Sequence, residues 1–185
     1  MSKTAVLLID NSNFYHSLKE SRRLPFPPVD YDRLFLELKK HGFDLKQIFL
    51  YDAVKDSGIE AQQYAGQQKF HQHIRNLASK WPIQIKTRKL KYRKINDGRK
   101  FIPEEKGIDI LLVIDAIKVA MEKKAERIIL LSGDADFVPA VRFIEDELKI
   151  QTVNLHLYKG SSTELRAACK EHILIDFNNS DIELR

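Results

Sequence analysis

An apolar run of strand type, TAVLLI at residues 4–9, ends directly in Asp10-Asn11-Ser12-Asn13, and a second, RIILL at 127–131, ends directly in Ser132-Gly133-Asp134-Ala135-Asp136. A further acid, Asp109, opens a strongly apolar stretch in Lys106-Gly107-Ile108-Asp109. If the two strands are neighbours in one sheet, Asp10 and Asp134 face each other at its edge, with Asp109 and Asp136 close by. Carboxylates gathered in this way repel one another without a cation, and oxygen-only ligands suit Mg2+ or Mn2+ rather than zinc. Such an ion lowers the pKa of a bound water and clamps the attacking and leaving oxygens of a phosphodiester. Hydrolysis of nucleic acid is the reaction these residues fit. Each aspartate taken alone is equally a helix cap or turn former; four of them together at strand ends and a helix start favour the chemical reading.

Other reactive side chains fit the scheme less well. Asp115 follows Asp109 by six helical positions, which leaves it about 120° round the helix, so a structural or supporting role is expected. His71 and His73, two apart on a helical pattern, point to different sides and read as ordinary surface residues. The lone Cys169 lacks a nucleophile's setting and reads as a buried or semi-buried structural thiol. Charge is more informative. Residues 86–100, KTRKLKYRKINDGRK, hold eight cations (Lys86, Arg88, Lys89, Lys91, Arg93, Lys94, Arg99, Lys100) against Asp97, so the segment carries +7 where the whole chain carries +5. A patch of that strength, interleaved with Tyr92 and Phe101 and followed by Lys106, suits a nucleic acid. The alternative is a merely solvated face.

Strands alternating with helices must position these groups. Strand-type runs fall at 4–9, 47–51, 127–131, 151–157 and 173–177. Between them, Tyr31, Leu34, Phe35 and Leu38 make a helical stripe after an Asp30 cap, preceded by a loop-like LPFPPV. Phe70, Ile74, Leu77, Ala78 and Trp81 make a second stripe that Pro82 ends. Residues 108–123 are apolar almost all round, which predicts a helix buried on several sides. Phe137, Ala140, Val141, Ile144 and Leu148 make a fourth stripe with Pro139 in its first turn. This rhythm predicts an α/β domain with a mainly parallel sheet flanked by helices. Residues 83–102 break it: two strand-like runs around Asn96-Asp97-Gly98 read as an inserted basic β-hairpin.

A chain of 185 residues with 43% hydrophobic residues, 7 Gly and 6 Pro excludes disordered and collagen-like classes and fits one domain. No stretch reaches the ~18 apolar residues of a spanning helix, and neither the start Met1-Ser2-Lys3 nor the lone cysteine suggests secretion. A cytoplasmic protein without membrane contact is expected.

The lines VLLIDNSNF (6–14), KGIDILLVIDAI (106–117) and IILLSGDADFVP (128–139), in this order and spacing, resemble the NYN-domain family, and within it the LabA-like branch. The segment SSTELRAACKEHILIDF (161–177) is similar to the helix and strand that close the domain there. The resemblance implies a Rossmann-like, PIN-like fold, a single domain over 1–185 with its core at about 4–177, and RNA cleavage dependent on Mg2+ or Mn2+. Carried over by position, it implies Asp10, Asp109, Asp134 and Asp136 as catalytic and metal-holding acids, Asn13 as their polar companion, and Asn11 and Ser132 as supporting groups. It says nothing firm about the basic insertion. A non-catalytic RNA-binding or regulatory module on the same fold is the alternative, and a homodimer is left open. A third reading, a metal-dependent adhesion motif in DNSN, is disfavoured by the SGDADF line.

Overall fold

The structure, a computed structural model, describes residues 2–21, 29–95, 100–178 and 181–185. The chain begins with β1 (Lys3–Asp10), α1 (Asn11–Ser21), α2 (Tyr31–Lys40), β2 (Phe43–Val54) and α3 (Ala61–Asn76), then β3 (Ile83–Lys89), β4 (Lys91–Ile95) and β5 (Lys100–Glu104). It continues through α4 (Ile108–Met121), β6 (Arg127–Leu131), α5 (Val138–Asp146), β7 (Gln151–His156), α6 (Thr163–Ala168), β8 (Glu171–Asn178) and β9 (Asp181–Leu184). The Asp30 cap forms, its carboxylate accepting from Arg33 N at 3.0 Å. Pro139 sits in the first turn of α5. Most of LPFPPV lies outside the described residues.

The main sheet has seven strands in the order β3-β2-β1-β6-β7-β8-β9, parallel except for the edge pair β8 and β9. From β1 the chain builds outward through β2 and β3, then returns to build the other half from β6. Strand order therefore reverses between β1 and β6, which pair in register from Ala5–Arg127 to Ile9–Leu131. A parallel sheet of this kind opens its ligand crevice beyond the carboxyl ends of the strands at such a reversal.

Alternation along β1 divides the core. Ala5, Leu7 and Ile9 pack with Phe14 and Leu18 of α1 and Leu34, Phe35 and Leu38 of α2. Val6 and Leu8 pack on the opposite face with Leu112 and Ala116 of α4 and Val141 and Ile144 of α5. By the two-residue period of a strand, Asp10 leaves the sheet on the α4 side.

Two sequence expectations need correction. Residues 83–89 do not belong to a hairpin insertion: β3 is a parallel edge strand of the main sheet, Ile83 pairing with Ile48 and Lys89 with Val54. The ribbon is β4 with β5, from Lys91–Glu104 to Ile95–Lys100. The reason is local ambiguity, since Ile83 and Ile85 alternate equally well for either role and only β2's open edge decides. The Asn96-Asp97-Gly98 turn and Arg99 lie outside the described residues. Helix α4 is also less enclosed than its all-round hydrophobicity predicts: Ile110, Ile114 and Met121 are 63%, 54% and 66% exposed. One sheet face can cover only the side that carries Leu112, Ala116 and Val119.

Candidate functional site

Asp10 ends β1 beside Ser132, which directly follows β6. Only 3% exposed, its carboxylate accepts a hydrogen bond from Asn13 N (3.1 Å) on one oxygen and from Ser132 Oγ (2.9 Å) on the other. Asn13 fixes the facing loop by accepting from Gly133 N at 2.7 Å. Ser132 Oγ in turn accepts from Asp134 N at 3.2 Å, and Asp134 caps the short turn 135–137 by accepting from Asp136 N at 2.9 Å. Behind them, Asn154 donates to the Ser132 carbonyl at 2.8 Å. The loops meet with almost no spare room, because a Cβ at Gly133 would lie 1.6 Å from the Gly160 carbonyl oxygen.

Burial dominates the electrostatics. It pushes the Asp10 carboxyl up to about 7, against the hydrogen bonds from Asn13 and Ser132 and with the help of Asp109 and Glu105. Asp109, in the first turn of α4, is raised by partial loss of water and then by Asp134 and Asp136. Asp109 thus stands in the field of Asp134 and Asp136 and itself acts on Asp10. Asp10 and Asp134, however, are joined through Ser132 rather than set face to face. Among the described residues no three acidic, histidine or cysteine side chains stand close enough to hold a metal ion. The donor set nonetheless suits a hard cation, being all oxygen and burdened with mutual repulsion that a positive charge would relieve.

Two acids absent from the sequence-based set border this crevice. Glu105, on the loop into α4, keeps solvent contact but is raised by partial burial and by Asp109 and Asp52, against a hydrogen bond with Ser12. Asp52, near the carboxyl end of β2, is 5% exposed. Its signal was present in QIFLYD, an apolar strand ending in Asp just as β1 does. Asp52 leaves the sheet on the face opposite to Asp10, where His71 Nε2 reaches it at 2.6 Å, Gln67 at 2.8 Å and Asn11 at 3.0 Å. Tyr31 donates its hydroxyl to Asn11. His71 is therefore not a surface residue but 1% exposed. Three positions before Ile74, it shares that residue's inward face of α3.

The basic residues are unequal. Lys86 is held by Asp115 at 2.7 Å over the Phe49 ring, and Asp115 also accepts from Tyr51 at 2.9 Å. Arg93 and Lys106 both pair with Glu104 at 3.1 Å. Tyr92 donates to Glu60, which pins the ribbon to the start of α3. Lys94 lies over Phe101, while Arg88, Lys89 and Lys91 are exposed. The side chain of Lys100 is outside the described residues.

Fold and crevice together define an α/β domain of PIN-like type, with its acidic groups at the reversal of strand order. The chain belongs to the NYN domain family, whose model matches residues 4–176. It is also similar to a crystal structure from Vibrio parahaemolyticus of a protein of unknown function, with a TM-score of 0.69 and 22% identity over 98% of this chain and 96% of that one. That likeness bears on the fold. No curated protein matches the chain. No helix among the described residues is long and apolar enough to cross a membrane.

Proposed function

We propose that this chain is a divalent-metal-dependent ribonuclease of the LabA-like branch of the NYN family. The observation that carries the reading is Asp10: a carboxylate buried at the strand-order reversal, beside Ser132 and within the field of Asp109 and Glu105. Its cap contact with Asn13 N occupies one oxygen, and neither the burial nor the neighbouring carboxylates serve that contact. Asp10, Asp109, Asp134 and Asp136 would hold Mg2+ or Mn2+. The ion would supply an activated water and neutralise charge on the phosphodiester. Ser132 and the Asn13 backbone orient the Asp10 oxygens, and Asn13 fixes the loop that carries Asp134. Asn11, tied to Asp52, steadies the start of α1. Lys89, Lys91 and Lys94 on and before the ribbon offer charge to the RNA backbone.

The test is incubation of purified protein with labelled single-stranded RNA and Mn2+, Mg2+ or chelator. Cleavage is expected with either ion. Asp109→Asn or Asp134→Asn should each remove at least about a hundredfold of it, and the double variant should be little worse, because groups acting as a unit are not additive. Activity surviving in both variants, or in chelator, refutes the reading. RNA binding without cleavage favours the non-catalytic module.

A further inference from the structure

Arg88 stands apart from the other cations of its segment. Along β3, Lys86 lies opposite Tyr51, which lies opposite Asp10, so Arg88 is two strands over and two residues beyond Asp10. Standard strand spacing and rise put their Cα atoms about 12 Å apart. Lys86 reaches Asp115 of α4, and by strand alternation Arg88 shares that face, the one Asp10 also uses. Thr87 and Lys89 point to the other side.

The guanidinium of Arg88 rests against Gly107, where a Cβ would lie 3.3 Å from Nη1. Gly107 has φ +85° and forms the cap of α4, between Glu105 and Asp109. Glycine takes this left-handed turn beneath the guanidinium without the strain a side chain would meet. Among the described residues Arg88 has neither ion pair nor hydrogen bond, whereas Lys86 and Arg93 are matched by Asp115 and Glu104. The groups acting on Asp109 and Glu105 are burial, other carboxylates and Ser12, so neither acid consumes the arginine.

Resting on the ribonuclease reading, we infer that Arg88 binds the RNA phosphate neighbouring the one to be cleaved. The crevice is acidic and repels a polyanion, and a free cation from β3 resting against the loop into α4 offsets this at one point. A guanidinium does so with two parallel hydrogen bonds of fixed geometry, which a lysine cannot reproduce. The RNA strand then crosses Gly107 between the crevice and the end of β3. The other cations act on more distant phosphates.

The experiment measures binding of a labelled single-stranded RNA tetranucleotide and of a longer strand in chelator, across a range of salt, by fluorescence anisotropy. The proteins are the whole chain, Arg88→Ala, Arg88→Lys and Lys94→Ala, with thermal melting as the check on folding. Arg88→Ala should weaken tetranucleotide binding more than tenfold and lower the salt slope by about 0.7. Arg88→Lys should recover only part of the affinity, and Lys94→Ala should matter for the longer strand alone. Tetranucleotide binding by Arg88→Ala equal to that of the unaltered chain overturns the assignment while leaving the ribonuclease reading intact. Failure of the unaltered chain to bind either RNA overturns the assignment to Arg88, while the ribonuclease reading is decided by the cleavage assay with Mn2+ or Mg2+.

Discussion

Replacing Asp10 by Asn removes one buried charge and little else. The asparagine oxygen can accept from Asn13 N, and its amide can donate to Ser132 Oγ, so both contacts of the carboxylate have counterparts. What disappears is the penalty of ionising a group whose carboxyl is pushed up to about 7 from an ordinary 3.8. The folded state then binds a proton that the unfolded state has released, so stability is full below about 3.8 and is lost as pH rises through about 7. The difference between the two values corresponds to about 4 kcal/mol at full effect. Metal-free Asp10→Asn should therefore match the unaltered chain near pH 4 and exceed it by about 2–4 kcal/mol above pH 8. For a chain of this size that is roughly 4–16 °C in Tm. Urea unfolding at several pH values in chelator measures it, with the free-energy difference between the two proteins as the readout. A difference that stays flat between pH 4 and 8, or an asparagine variant less stable at pH 8, would refute the claim that Asp10 is a destabilising buried charge.

Two other substitutions probe the supports of the site. His71→Ala removes a hydrogen bond to the buried Asp52 carboxylate and should lower stability by about 2–3 kcal/mol; adding Asp52→Asn should restore part of this in a double-mutant cycle, and strict additivity would show the pair to be uncoupled. Gly133→Ala drives a methyl into the Gly160 carbonyl and should force apart loops joined by the Ser162 N to Gly133 O hydrogen bond, lowering Tm and RNA cleavage together. An unchanged melting curve would show that the close approach relaxes freely.

Much of this protein is written locally. The short continuous apolar runs of β1 and β6 and the 3.6-period stripes of α2 and α5 mark their elements, because a strand covered on both faces is apolar throughout while a helix packed on one side repeats its apolar face every turn. The three acidic motif lines are equally local: each is an aspartate at a strand end or in a first helical turn. What their chemistry requires is not local. Asp10 meets Ser132 across a separation of 122 residues, and only the pairing of β1 with β6, together with the helices on both faces, turns an ordinary strand-end aspartate into a carboxyl raised by burial. The same holds for His71, whose partner Asp52 lies on β2, and for β3, whose alternating residues fit a hairpin until β2 offers its edge. Helix α4 shows the converse, because hydrophobicity can announce a buried helix while packing covers one side of it. Charge behaves likewise: the sequence counts eight cations in one segment, but side-chain geometry decides that Lys86 and Arg93 are already matched and that Arg88 lies on the crevice side with its charge free.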